Sequence, residues 1–255
     1  MEIISVNNEL VKETAKLQHK KYRDERGEFL IEGYKPISEW LQNGFKFKRI
    51  FLLKDKVHKF KFGQENLISA SSAVLKKIST TVSEPEIVGV AEKIKFDVKI
   101  LKNAKKILLL EGIKDSGNLG TIMRSAVAFG ADALILFGNC TDLYNPKCLR
   151  SAVGNFGKIP VFEMNTVDEL NKYFKDFERV ATLPKSRNLL KNTKIGEPFL
   201  LMFGSEADGL SNELIDFATS SFKIEMRDNV ESLNLSIACG IAMYELMKVS
   251  SAGFD

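Results

Sequence analysis

From Lys106 onward the chain alternates between short apolar runs and amphipathic stretches, and this alternation restricts the fold more than any other feature. Ile107–Leu110, Ala133–Phe137, Ile159–Phe162, Arg179–Thr182 and Phe199–Phe203 read as buried strands, and Phe222–Ile224 as a short one. Helices are expected over Leu119–Phe129 and Val167–Phe174. A long last helix is expected over Ser232–Val249, with Leu235, Ala238, Cys239, Ala242, Met243 and Leu246 turned inward. Strands joined by helical crossovers build a mostly parallel sheet with helices on both faces. The fold class is therefore α/β.

The first 95 residues carry a second, smaller α/β pattern. It runs as a helix from Asn8 to Arg26, a strand Phe29–Gly33, a helix near Ile37–Asn43, and a strand Arg49–Leu53. A polar loop Lys54–Gly63, a strand Leu67–Ser69, a helix Ser72–Ile78 and a strand Glu86–Ala91 follow. The expected organisation is a domain over 1–95, a lysine-rich linker over 96–105 and a second domain over 106–255. On the first helix Lys12, Lys16, Lys20 and Arg23 fall on one arc, opposite Leu10, Val11, Leu17 and Tyr22. Such a stripe either follows phosphates or is a solvated face. With Arg26 on the same segment and Arg150 further on, these are the candidate nucleic-acid contacts.

Histidine narrows the chemistry. There are two, His19 and His58, so a site in the later chain works without histidine, which excludes Ser-His-Asp triads and nearly all zinc centres there. The three cysteines, Cys140, Cys148 and Cys239, make no CxxC pair and read as free thiols. Residues from Met1 carry no secretory signal and no run approaches a membrane span, so a cytoplasmic protein is expected. A net charge of +4 permits a nucleic-acid partner without requiring one.

Neither GxGxxG after a strand nor GxxxxGK[ST] occurs. Three other blocks stand out. Asp115-Ser-Gly-Asn-Leu-Gly-Thr-Ile-Met-Arg124 follows the strand Ile107–Leu110. It reads as a glycine-rich turn with Arg124 one helical turn beyond Gly120. Phe203-Gly-Ser-Glu-Ala-Asp-Gly-Leu210 leaves another strand at its carboxyl end, where open α/β sheets bind ligands. Ser232-Leu-Asn-Leu-Ser236 opens the last helix, with Ser232 as the expected N-cap. Singly, a turn or a cap accounts for each block.

Together the three blocks resemble the motifs of the SpoU/TrmH family of RNA ribose 2′-O-methyltransferases. These are Asn118-x-Gly-x-x-x-Arg124, Gly204-x-Glu206-x-x-Gly-Leu and Ser232-Leu-Asn234-x-Ser, with Pro146-Lys-x-x-Arg150-Ser-Ala-x-Gly154 between the first two. The match spans about Lys106–Lys248, and the first 95 residues look like the family's RNA-binding domain. The chain departs from the pattern at Glu225, where proline is usual, at Asp228, a common glycine, and at Ser116, where proline is frequent.

The resemblance implies a C-terminal trefoil knot that holds S-adenosylmethionine against Thr182, Leu183, Pro184, Gly204, Ile224, Met226 and Leu233. It implies catalysis by Arg124 with Asn118, Glu206, Ser232 and Asn234, on a ribose of structured RNA, more in keeping with large-subunit ribosomal RNA than transfer RNA. It also implies a homodimer joined through the last helix, and no metal. Two roles stay open for Arg124: general base, or electrostatic stabiliser of the reacting oxygen. A non-catalytic RNA-binding scaffold and an N1-guanine methyltransferase are the alternatives.

Overall fold

The computed structural model describes residues 2–59, 66–81, 85–227 and 229–247. Asp228, the end of the expected Lys54–Gly63 loop and the tail Ser250–Asp255 lie outside the described residues. The chain divides into two compact units, Met1–Lys95 with Asp142–Gly154, and Phe96–Thr141 with Asn155–Asp255.

The first unit runs β1 (Glu2–Ile3), α1 (Glu9–Lys16), α2 (Lys20–Arg26), β2 (Glu28–Glu32), α3 (Tyr34–Gln42), β3 (Phe47–Leu53), β4 (Leu67–Ala70), α4 (Ser72–Ile78) and β5 (Ile87–Glu92). Its five-stranded sheet has the order β1-β4-β3-β5-β2. β1 and β3 pair parallel with β4, and β5 pairs antiparallel with β3 and β2. Val11, Leu17, Leu30, Phe51, Leu75, Ile78 and Val90 form part of the core.

The single helix expected over Asn8–Arg26 is two. Leu17, Gln18 and His19 donate their N–H groups back to the carbonyls of Thr14, Ala15 and Lys16, a tight turn that ends α1. The Arg23 guanidinium fixes the break: Nη1 donates to the carbonyls of Leu17 and Gln18 at 2.8 Å each. Its other nitrogens reach Asp142 Oδ2 at 3.1 and 2.5 Å. Arg23 is 3% exposed. It is a structural cation, and the expected phosphate contact is corrected accordingly. Lys16 and Arg26 both pair with Glu13, so the basic stripe is broken up, and of its members Lys12 and Lys20 are exposed without an ion pair among the described residues.

In the second unit the chain forms β6 (Lys106–Glu111), α5 (Ser116–Ala128) and β7 (Ala133–Phe137), then departs into the first unit as α6 (Pro146–Ala152). It resumes as β8 (Val161–Met164), α7 (Val167–Phe174), β9 (Glu178–Thr182), β10 (Phe199–Phe203), α8 (Asn212–Phe217), β11 (Ser220–Phe222) and α9 (Leu235–Leu246). The six-stranded sheet has the order β11-β9-β10-β6-β7-β8, parallel throughout. β10 is buried along its whole length between β9 and β6. That is why Phe199–Phe203 is an unbroken apolar run rather than an alternating one.

The segment Asp142–Gly154 is bound into the first unit by more than Arg23. The Tyr144 ring lies 4.8 Å from Phe29, its hydroxyl donates to the Ile94 carbonyl at 3.1 Å, and Lys93 Nζ sits 4.8 Å over its face. Arg150 Nη1 donates to Thr80 Oγ1 at 3.0 Å. Helix α6 was not expected, although Asn145-Pro146 is a cap followed by a preorganised first helical residue. It ends on Val153 at φ 44°, a left-handed conformation that a β-branched side chain adopts only under strain.

Candidate active site at the carboxyl edge of the parallel sheet

Because β6, β9, β10 and β11 are parallel neighbours, the loops after Glu111, Thr182, Phe203 and Phe222 leave the same edge. Helix α5 begins at Ser116, earlier than the expected Leu119, because Asp115 caps it, accepting from the Asn118 N–H at 2.8 Å. Gly117 and Gly120 therefore lie inside the helix and not in a loop, and Gly120 is buried. Ser116, where the related pattern has proline, is buried and hydrogen-bonded to Thr141 Oγ1 at 2.7 Å.

After β10 the chain makes a closed turn. Ser205 and Gly209 exchange two backbone hydrogen bonds of 3.1 Å, and Ser205 Oγ accepts from the Asp208 N–H at 3.1 Å. A Cβ on Gly204 would lie 1.9 Å from the Gly209 carbonyl carbon, so glycine is required there. Gly209 adopts φ 70°. The turn projects Glu206 into solvent.

The last helix is capped by Asn234 and not by the expected Ser232. Asn234 Oδ1 accepts from the Ser236 N–H, the Ser236 hydroxyl and the Ile237 N–H at 2.9, 2.6 and 3.4 Å. With its oxygen committed to the helix, Asn234 presents its NH2 outward, and that group donates to Asn118 Oδ1 at 3.1 Å. Asn118 must then present its own NH2 on the other side, where it donates to Glu206 Oε1 at 2.8 Å. The orientation of both amides is thus dictated from the helix start to the carboxylate, since each amide has one accepting and one donating end. One residue from each of the three sequence blocks meets in this chain.

The loop after β9 pairs beside the segment leaving β11. Leu183 donates to the Phe222 carbonyl at 2.9 Å, Lys223 to Asn188 and Leu190 to Lys223, each at 2.9 Å. Glu225 pairs with Lys191 at 2.5 Å across the same two segments, which gives the departure from proline a local role. Leu183, Ile224, Met226 and Leu233 are half-buried, while Pro184 is exposed. Thr182 Oγ1 is buried and has no hydrogen-bond partner among the described residues. Half-buried apolar side chains, an orphaned hydroxyl and a backbone that closes at Gly204 suit a ligand with a flat apolar ring and a polar tail.

Arg124 and Ser232 are exposed, and neither side chain makes a hydrogen bond or ion pair among the described residues. They stand outside the Asn234–Asn118–Glu206 chain. Asp115 and the Ser236 hydroxyl complete the network and were missed as site residues. Asp three residues before Asn118 is a readable cap signal, whereas the Ser236 bond depends on the true helix start. Cys239 lies fully buried on α9, and its thiol is pushed well up, first by burial and then by the Glu206 carboxylate. No group of three or more His, Cys, Asp or Glu that could hold a metal exists among the described residues.

A parallel sheet with a directed polar network at its carboxyl edge defines an α/β ligand-binding enzyme domain. The chain belongs to the SpoU rRNA Methylase family, whose profile matches residues 105–244. A second profile, the MRM3-like substrate binding domain, matches residues 8–89. The chain is 31% identical to the 23S rRNA (guanosine(2553)-2′-O)-methyltransferase RlmP of Bacillus subtilis, over 96% of this chain and 98% of that protein. It is likewise 31% identical to an uncharacterized tRNA/rRNA methyltransferase of Synechocystis sp., over 95% and 92%. An AdoMet-bound rRNA methyltransferase from Sinorhizobium meliloti superposes with a TM-score of 0.86 at 28% identity, covering 96% of each chain. The family and the parallel α/β architecture read from the sequence are thereby borne out.

Proposed function

We propose that this chain is an S-adenosylmethionine-dependent enzyme that methylates a ribose 2′-hydroxyl in large-subunit ribosomal RNA. The observation that carries the reading is the Asn234–Asn118–Glu206 chain, which draws the three family blocks into one site. Bound S-adenosylmethionine supplies an electrophilic methyl group on a sulfonium. The segments after β9 (Thr182, Leu183, Pro184), β10 (Gly204) and β11 (Ile224, Met226), together with Leu233, would hold it. The protein's task is alignment, which can supply roughly 7–11 kcal/mol of the barrier.

Asn118, with its orientation fixed, and Glu206 offer a donor–acceptor surface to the nucleotide, and Ser232, two residues before Asn234, offers an exposed hydroxyl. Arg124 carries a free, exposed guanidinium on α5. Guanidinium keeps its proton in proteins, so its role is to stabilise charge developing on the 2′-oxygen or to hold the adjacent phosphate. The first unit, with Lys12, Lys20 and Arg150 on its surface, would hold the RNA.

Two finer features belong to the same reading. The segment following β11 is threaded as a trefoil knot, as the family resemblance implies; the pairing of the loop after β9 beside that segment at the Leu189–Lys223 bridge is compatible with it. Two copies pair through α9, supported by Ile237, Ile241 and Tyr244, which are spaced along one face and 53%, 40% and 70% exposed. No described helix is long and apolar enough to cross a membrane.

Methyl transfer from labelled S-adenosylmethionine to 23S rRNA, with the 2′-O-methyl position mapped, tests the reading. A dimer by light scattering is expected, and Tyr244→Glu should convert it to monomer. Absence of S-adenosylmethionine binding by calorimetry would overturn it in favour of a non-catalytic scaffold.

A further inference from the structure

The first unit carries a basic cavity whose residues are scattered in the sequence. Val6, Asn7 and Lys12 on one side, and Ala73, Lys76 and Lys77 on the other, line a surface cavity of about 450 Å3. Its walls are set by the core, because α1 and α4 pack through Val11, Val74, Leu75 and Ile78, all fully buried. Gln18 Nε2 donates to the carbonyls of Lys77 and Ser79 at 2.9 Å each, tying the end of α4 to the segment after α1.

All three lysines are exposed, and none has a carboxylate partner among the described residues. Lys16, Lys48, Lys54 and Lys93 elsewhere in the unit are each paired. Lys76 and Lys77 in the last turn of α4 are favoured there by the helix dipole. That account does not extend to Lys12, which lies mid-helix on α1. The acidic groups of α1 are Glu9, in the first turn where the helix itself favours it, and Glu13, which is taken by Lys16 and Arg26.

We propose that this cavity grips the phosphate backbone of the RNA substrate, with Lys12, Lys76 and Lys77 as the cations and the Asn7 amide as an added donor. The proposal rests on RNA being the substrate. It replaces the Lys16, Arg23 and Arg26 part of the stripe, whose side chains are already engaged by Glu13 and Asp142 inside the unit. Lysines act here as point charges on phosphate and carry no base specificity.

The test is the triple variant Lys12→Gln/Lys76→Gln/Lys77→Gln, measured for binding to a 23S rRNA transcript across a salt series. Loss of three phosphate contacts lowers the slope of log affinity against log salt by about 2 to 3. The KM for RNA should rise about tenfold or more, while S-adenosylmethionine affinity, melting temperature and the single-turnover rate at saturating RNA stay at wild-type values. A charge-matched control, Lys158→Gln/Lys172→Gln/Lys175→Gln, should leave the slope unchanged. An unaltered slope and KM in the first variant overturn the proposal, as does an equal drop in the control. Failure of the wild type to methylate RNA would sink the functional reading instead, and the salt slope, read from binding alone, still decides the surface.

Discussion

Asn118 Nδ2 donates to Glu206 Oε1 at 2.8 Å, joining the first turn of α5 to the turn after β10 across 88 residues. The bond has one permissible polarity, because Asn118 Oδ1 is already taken by Asn234 and Glu206 offers an acceptor. Asn118→Asp keeps the shape but sets a carboxylate against the Glu206 carboxylate. A hydrogen bond to a charged group contributes about 1.5–3 kcal/mol, so methyl transfer should fall about tenfold to a hundredfold in single-turnover assays. Asn118→Asp activity equal to wild type would show that the network does not serve the reaction.

Arg124→Ala should reduce kcat by about 10²–10³, the usual cost of removing a donor aimed at developing charge. Its melting temperature should hardly move, since the exposed guanidinium bonds to nothing in the described structure. Arg124→Lys separates the two roles. Recovery of most activity with no new step in the pH–rate profile leaves electrostatic stabilisation and removes the general-base role.

Gly204→Ala places a methyl group 1.9 Å from backbone that cannot retreat. Overpacking of this kind costs about 1–3 kcal/mol. The expected result is a lowered melting temperature and loss of S-adenosylmethionine binding by calorimetry. A variant that binds normally would place the ligand elsewhere.

Arg23 and Asp142 form a nearly buried pair, with side chains 3% and 9% exposed. Removing one partner strands the other, at about 3–5 kcal/mol. Arg23→Ala or Asp142→Ala should therefore destabilise the protein by that amount in urea unfolding. Arg23→Met/Asp142→Leu should recover much of it. Equal loss in the double variant would show that the carbonyl bonds to Leu17 and Gln18, and not the ion pair, are what matter.

Burial, with a smaller contribution from Asp142, pushes the Cys148 thiol from its ordinary 9.0 up to about 12. The folded state therefore holds this proton more tightly than the unfolded chain. The associated stability is fully present below pH 9 and declines as pH rises from 9 towards 12, by about 1.4 kcal/mol per pH unit. Unfolding free energy should be flat in this respect from pH 6 to 8. Above pH 9 it should fall less steeply in Cys148→Ala than in wild type. Iodoacetamide at pH 8 should label Cys148 and Cys239 only after denaturation.

Much of the second unit is legible in the sequence because its strands are buried on both faces and so read as unbroken apolar runs. Ala133–Phe137 and Phe199–Phe203 are observed with the expected limits. The first helix was misread because Leu10, Val11, Leu17 and Tyr22 keep a helical period through a break. The break is held by Arg23 reaching a partner 119 residues away, which no local pattern records. Asn118, Glu206 and Asn234 were identifiable as a motif set, and the structure joins them directly. The cap was assigned to Ser232 because serine and asparagine are comparably good caps, and only the downstream N–H groups choose between them. The cavity of Lys12, Lys76 and Lys77 was hidden because two helices 60 residues apart supply it.

The Asp142–Gly154 excursion has a consequence for synthesis. The first unit lacks α6, Tyr144 and the Asp142 carboxylate until residue 154 has been made, although its other strands and helices are complete by residue 95. At 5–20 residues per second that interval lasts roughly 3–12 s. During it the Arg23 guanidinium has no counter-ion, and β6, α5 and β7 emerge before their predecessor can close. The amino-terminal half of this protein cannot mature alone on the ribosome; it waits for a piece of chain that the other half delivers.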